Sequence, residues 1–104
     1  MNTPLSTHPR TLLVIVAEAA LEKPLVREAR ARGVQGWTVA EVHGRFFEGE
    51  REGAWEADRT IELKLLCDRA TAEALASEVL ARYAPHYSVA MYFTPAEVLR
   101  PERF

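Results

Sequence analysis

The pattern of apolar and polar positions along the chain predicts four strands and two helices. In chain order the predicted segments are a strand at 11–17, a helix at 18–32, a strand at 37–42, a strand at 59–67, a helix at 70–84 and a strand at 88–93. Each is assigned from its apolar period, which is near 3.6 residues in a helix and 2 in a half-buried strand. The order β-α-β-β-α-β predicts a ferredoxin-like α+β fold, an antiparallel sheet with two helices on one face.

The first predicted strand differs from the others because it has no polar alternation. After Thr11 every residue through Ala17 is apolar. A strand of this kind is typical of sheets that are covered on both faces. Because two helices form a layer on one face only, we expect a second copy of the chain to cover the other face.

The helices carry apolar stripes and recognisable end signals. Asp68 is the predicted N-cap of the second helix, and Gly33 and Pro85 are predicted to end the first and second helix. Pro24 falls in the first turns of its helix, where a missing N–H is tolerated. The predicted stripes are Leu21, Leu25 and Ala29 in the first helix, and Leu75, Ala76, Val79, Leu80 and Tyr83 in the second.

Composition places these elements in one globular domain. We expect residues 1–10, which contain two prolines, to form a flexible N-terminal arm and residues 11–104 to form the domain. A hydrophobic fraction of 48% and a net charge of −2 give no general reason to bind nucleic acid, and no apolar run is long enough for membrane insertion. The lone Cys67 has no disulfide partner and is expected in the core. A cytoplasmic location fits these features best.

Between the second and third strands lies a long polar loop, residues 45–58, without apolar periodicity. Exposed aromatic residues beside charges are typical of contact surfaces, so the loop is predicted to bind a partner. The alternative is that its aromatic rings fold onto the sheet or a neighbouring subunit. The predicted contact residues are Phe46, Phe47, Arg51 and Trp55.

Four arginines are candidates for an anion site. Arg45 and Arg59 bracket the loop, and Arg100 and Arg103 lie in the C-terminal tail. Guanidinium groups beside exposed glycine backbone suit phosphate, although most surface arginines are simply solvated. No catalytic motif is present, so no catalytic residue and no enzyme activity are predicted. Glu41 and His43 could form half of a metal site, but the sequence offers no third ligand and no metal is predicted.

The segment GVQGWTVAEVHG, residues 33–44, resembles the end of helix one and the second strand of PII-type signalling proteins. The resemblance continues through LLVIVAE, ATAEALASEVLARY and SVAMYFTPAEVLR, and so covers residues 11–100. It implies a homotrimer whose sheets pack around the three-fold axis. It also implies an adenine nucleotide in the clefts between subunits, and docking on transporters or enzymes through the loop after strand two, the T-loop.

The resemblance assigns roles by position. Gly36, Trp37 and Thr38 match the segment on the adenine side, Gly44 matches the first glycine at the loop base, and Arg100 matches a tail arginine that reaches phosphate. Arg45 is a phosphate candidate from its place beside Gly44.

Two departures from the family pattern restrict which nucleotides are expected to bind. The second loop-base glycine is replaced by Phe46, and residues 84–87, Ala-Pro-His-Tyr, stand where the family has the phosphate loop Gly-Asp-Gly-Lys. The chain is therefore nearest the PII-like branch associated with bicarbonate transport and carboxysomes. The resemblance implies AMP, ADP or cyclic AMP rather than ATP, with bicarbonate in some members, and a transporter or carboxysome component as partner.

Three other interpretations remain open at this point. One is a metal-binding trimer of the CutA type, with Glu41 and His43 as ligands. Another is a small enzyme on a dimeric ferredoxin-like barrel. The third is an interaction protein without a small ligand.

Overall fold

A four-stranded antiparallel sheet in the order β2-β3-β1-β4 forms one layer of the computed structural model, which describes residues 3–45 and 59–104. The strands are β1 His8–Glu18, β2 Gly36–Val42, β3 Thr60–Cys67 and β4 Val89–Val98. The helices are α1 Glu22–Ala31 and α2 Arg69–Arg82, and short 3-10 helices lie at Ala19–Leu21 and Pro101–Arg103. The predicted ferredoxin-like order of elements is confirmed.

The core lies between the sheet and the two helices. Alternate residues of β1 and β3, such as Leu13 and Leu63, pack there against Leu25 of α1 and Leu75 of α2. The stripe predicted for the first helix is buried at all three positions, although Leu21 lies in the 3-10 turn before α1. In α2 Leu75, Ala76 and Val79 are buried, whereas Leu80 is 60% exposed, so its place in the predicted stripe is wrong.

The other face of the sheet, called the open face here, is formed by the alternate residues that point away from the helices. The register places Val14 between Lys64 of β3 and Tyr92 of β4 on this face. Val14 and Val16 are each only 1% exposed within the single chain. Within the single chain β1 is therefore buried on both faces from Leu13 to Ala17, whereas Leu12 is half-buried, so burial of these residues does not require a second subunit.

Two strands are longer than predicted. β1 begins at His8, inside the segment expected to be an arm, because residues 8–10 pair with the far end of β4. β4 continues through Pro95 to Val98, where the sequence predicted an end at residue 93. Pro95 is tolerated because β4 is an edge strand, whose outer side needs no N–H donor.

The first helix is shorter than predicted. Glu18 belongs to β1 and residues 19–21 form a 3-10 turn, so α1 begins at Glu22. Pro24 consequently lies in its first turn, as expected. No helix in the described part of the chain is long and apolar enough to cross a membrane.

Candidate functional site

An apolar cavity of about 440 Å³ lies at one end of the open face. Neighbouring strands build it, because Gly36 of β2, Leu66 of β3 and Leu12 of β1 stand side by side in the sheet register. Thr38 and Lys64 are lining residues with a hydroxyl and an amine in their side chains. The lining residues are Leu12, Gly36, Trp37, Thr38, Lys64, Leu66 and Phe104.

The C-terminal tail closes this end of the sheet. After β4 the chain crosses toward β2 and places the ring of Phe104 against the backbone of Gly36. A Cβ atom at Gly36 would overlap Cδ1 and Cε1 of that ring. A larger residue at position 36 would therefore have to displace the Phe104 ring, although the backbone of Gly36 itself has an ordinary conformation.

Part of the predicted site converges here. Gly36, Trp37 and Thr38, assigned to the adenine side, all line the cavity. The carbonyl oxygen of Arg103 would lie 3.4 Å from a Cβ at Gly36, so the tail passes directly over this segment. Arg100 lies just before the last 3-10 turn, where its Nε donates to Oε1 of Glu102 at 3.2 Å.

The other predicted phosphate groups lie at the opposite end of β2. Gly44 and Arg45 follow the end of β2 at Val42, and both are exposed. From Thr38 to Val42 the strand alone spans about 13 Å, at about 3.3 Å per residue. Arg59 is also at this end, where it forms an ion pair with Glu41 at 2.9 Å. Within one chain, the adenine-side segment and the base of the loop therefore lie at opposite ends of β2.

The predicted partner-binding residues lie outside the described part of the chain. Phe46, Phe47, Arg51 and Trp55 all fall within residues 46–58, and their contacts remain a prediction. For the alternative metal site, Glu41 is engaged by Arg59, and the described residues contain no group of three or more His, Cys, Asp or Glu side chains that could hold a metal ion.

Several lining or supporting residues were missed at the sequence level. Leu12 and Leu66 carried a detectable signal, because each is apolar at an open-face position next to an inward-facing apolar residue. Lys64 gave no signal of a ligand contact, because a polar side chain on the exposed side of a half-buried strand is usual. Phe104 and Arg10, which is hydrogen-bonded to the tail, gave no periodic signal because their contacts depend on the path of the tail.

Behind the cavity, β3 ends in a helix cap with shifted pKa values. The backbone N–H of Thr71 donates to Oδ1 of Asp68 at 2.7 Å, which confirms the predicted N-cap. This bond, then one from the Thr71 hydroxyl and the nearby charge of Arg10, lowers the pKa of Asp68, although desolvation opposes them. Burial and the negative charge of Asp68 raise the pKa of the neighbouring Cys67 thiol. Cys67 is 4% exposed, in agreement with the predicted core position.

Comparison with known families and structures gives a consistent result. The model of the family "Nitrogen regulatory protein P-II" matches residues 10–103. A PII-like signalling protein from Thermus thermophilus is 31% identical, with a TM-score of 0.82, and the match covers 96% of this chain and 99% of that one. A search of curated proteins gives no match.

Two structures of CPII, a PII-like protein from Thiomonas intermedia K12, share the same fold. CPII bound to ADP and bicarbonate is 20% identical, with a TM-score of 0.85 and coverage of 97% of this chain and 99% of that one. CPII bound to ADP, AMP and bicarbonate is 22% identical, with the same TM-score and coverage of 97% and 98%.

Proposed function

This chain belongs to the nitrogen regulatory protein P-II family, and on that premise we propose that it is a cytoplasmic homotrimeric sensor of an adenine nucleotide. The nucleotide binds in clefts between subunits. Its binding alters the T-loop, residues 45–58, through which the protein regulates a partner. The chain is a signalling protein without catalytic residues.

The cavity on the open face is the observation that carries this proposal. Its apolar lining suits the faces of a planar heteroaromatic ring, and Thr38 and Lys64 offer donors for the ring nitrogens. Lys64 is held at the surface by an ion pair of 3.3 Å to Glu62. We therefore assign the base of the nucleotide to Gly36, Trp37 and Thr38.

The separation of the two ends of β2 supports a cleft between subunits. A nucleotide in the cavity of one chain is too far from Gly44 and Arg45 of the same chain for its phosphate to reach them. The loop base of a second subunit supplies these groups instead, with Arg59 behind them. Arg100 and Arg103 reach the phosphate from the tail.

The turn before β4 favours a ligand with few phosphates. In place of the family's phosphate loop, the backbone N–H of Ser88 donates to Oε2 of Glu18 at 2.7 Å. A carboxylate already accepts this donor and repels a phosphate chain. We propose AMP, ADP or cyclic AMP in preference to ATP, with bicarbonate as a second ligand of the kind that CPII binds.

The regulated partner is proposed to be a bicarbonate transporter or a carboxysome-associated protein. Phe46, Phe47, Arg51 and Trp55 supply the aromatic and cationic groups of the contact. The loop contains no Ser, Thr or Tyr between Gly44 and Asp58, so ligand binding rather than loop modification controls it.

The proposal is tested by calorimetric titration of the purified protein with AMP, ADP, ATP and cyclic AMP, each with and without bicarbonate. We expect saturable binding of at least one of these nucleotides, with ATP not the tightest. In Arg45→Ala, AMP should bind about tenfold more weakly because a charge-assisted hydrogen bond to phosphate is lost. Adenosine should bind to this variant as it does to the wild type. Absence of binding by every nucleotide would overturn the proposal.

A further inference from the structure

The side chain of Arg10 holds the C-terminal tail over the end of the open face. Arg10 Nε donates to the carbonyl oxygen of Phe104 at 3.0 Å, and Nη2 donates to that of Pro101 at 3.2 Å. Nη1 donates to the carbonyl of Pro9 at 2.8 Å, which fixes the guanidinium against its own strand. The planar fork of arginine thus joins the start of β1 to the tail.

The ring of Phe104 forms one wall of the cavity and does not fill it. The ring packs on Gly36, and about 440 Å³ remains beside it, between Leu12, Leu66 and Lys64. An aromatic ring beside aliphatic side chains gives the cavity an apolar lining. Aromatic rings bind nucleobases by stacking, because every base has a π-face.

We infer that Phe104 is the aromatic wall that contacts the base of the bound nucleotide, and that Arg10 is the positioning residue that keeps this wall in place. The inference rests on the proposed function and adds two residues to its site. Phe104 contributes to recognition of the base only, because its phenyl ring has no donor or charge with which to hold phosphate. Binding of the base and docking of the tail are therefore coupled.

The test compares calorimetric affinities of AMP, adenosine and ribose 5-phosphate for the wild type and Phe104→Ala. We expect AMP and adenosine to bind more weakly by the same factor, about 5- to 150-fold, which corresponds to the loss of stacking on one base. Ribose 5-phosphate should bind equally to both proteins. Phe104→Tyr should retain the wild-type affinities because the ring is kept. Leu99→Ala is the matched control, since Leu99 is an exposed apolar residue of the same tail outside the cavity.

Arg10 is tested in a double-mutant cycle. Arg10→Ala should weaken adenosine binding, and adding it to Phe104→Ala should cost little more, because both changes remove the same wall. Arg10→Lys should restore only part of the affinity, since an ammonium group cannot donate in the same fork. Fully additive losses would contradict a positioning role.

Substitutions at two glycines distinguish displacement of the Phe104 ring from a general loss of stability. Gly36→Ala forces the Phe104 ring away and should reproduce the loss of adenosine affinity. Gly33 has a φ of +80°, and a Cβ added there would have nothing within 4 Å, so Gly33→Ala strains the backbone without touching the cavity. Gly33→Ala should lower the melting temperature and leave the adenosine affinity unchanged.

The outcomes also separate the wall from the proposed function. If the wild type binds AMP and Phe104→Ala binds it equally well, the inference that Phe104 contacts the base is wrong, and the proposed function as a nucleotide sensor is unaffected. If Phe104→Ala binds AMP more tightly, the ring occupies the place of the base, and the inference that Phe104 contacts the base is again wrong. If the wild type binds no adenine nucleotide, the proposed function fails, and the assignment of Phe104 fails with it.

Discussion

Cys67 illustrates how the surroundings of a single residue set its chemistry. It lies in the core at the end of β3, and Asp68 follows it as the cap of α2. Burial is the main cause that raises the pKa of its thiol, and the carboxylate of Asp68 is the second. The neutral thiol is thus favoured in the folded protein, which agrees with a structural role rather than a nucleophilic one.

This raised pKa predicts a loss of stability at alkaline pH. Below the ordinary thiol pKa of about 8.5 the Cys67 thiol is protonated in both the folded and the unfolded protein, so it does not affect how the free energy of unfolding depends on pH. As the pH rises from there toward the folded pKa, unfolding releases a proton and the free energy of unfolding falls. Urea denaturation at a series of pH values from neutral to about 10 measures this decrease in the free energy of unfolding. In Cys67→Ala this part of the decline should be absent, and a slope equal to that of the wild type would contradict the assignment.

At the scale of elements, the two helices are joined through Glu28. Its Oε2 accepts from Arg32, the C-cap of α1, at 2.7 Å, and its Oε1 accepts from Arg82 of α2 at 3.1 Å. Glu78 of α2 lies 3.7 Å from Arg82 and 3.9 Å from Arg32. The Glu28 side chain is only 16% exposed, so its interactions are less screened than those of an isolated surface pair.

Glu28→Gln should therefore destabilise the protein by about 1 kcal/mol, a decrease of several degrees in melting temperature. The control is Glu73→Gln, which breaks a pair of 2.8 Å between Arg69 and Glu73 on the exposed surface of α2. That change should cost about 0.3 kcal/mol or less. Thermal melts in low and high salt test this difference, and equal losses in the two variants would contradict it.

Local pattern was sufficient to predict most elements. The alternation of β3 and the cap at Asp68 depend on neighbours within a few residues, so the sequence alone located them. β4 was cut short at Pro95 because whether a strand tolerates proline depends on its place in the sheet. The extension of β1 to His8 likewise depends on a partner at Val98.

The candidate site was predictable only where it follows one strand. Gly36, Trp37 and Thr38 were identified together because they are consecutive in a recognisable segment. Phe104 lies 68 positions from Gly36 in a tail without periodicity, so no local pattern pairs them. The phosphate groups were grouped by the sequence, yet the fold places Gly44 and Arg45 at the far end of β2.

For the whole molecule, the open face is the proposed contact surface of the trimer. Tyr92 lies on the edge strand β4, beside Val14 of the central strand β1, and is 48% exposed in the single chain. Charge on this face would have to be desolvated on association, at a cost of several kcal/mol when unpaired. Tyr92→Glu should therefore shift the protein from trimer toward monomer, as measured by light scattering after gel filtration.

A matched variant on the other layer controls for the added charge. Leu80 of α2 is 60% exposed on the helical side of the molecule, so Leu80→Glu should leave the trimer intact. A wild-type mass of one or two chains would contradict the trimer, and a dimer would favour the alternative of a small ferredoxin-fold enzyme.

The central position of β1 has a consequence for synthesis of the protein on the ribosome. β1 is synthesised before the other three strands of the described sheet, yet its hydrogen-bonding partners begin only at Thr60 and Val89. Until β3 and then β4 follow, the most apolar strand of the chain has free backbone edges. A nascent chain that stalls before Val89 would present this strand to chaperones or to other nascent copies, so the sheet can be completed only after β4 has been synthesised.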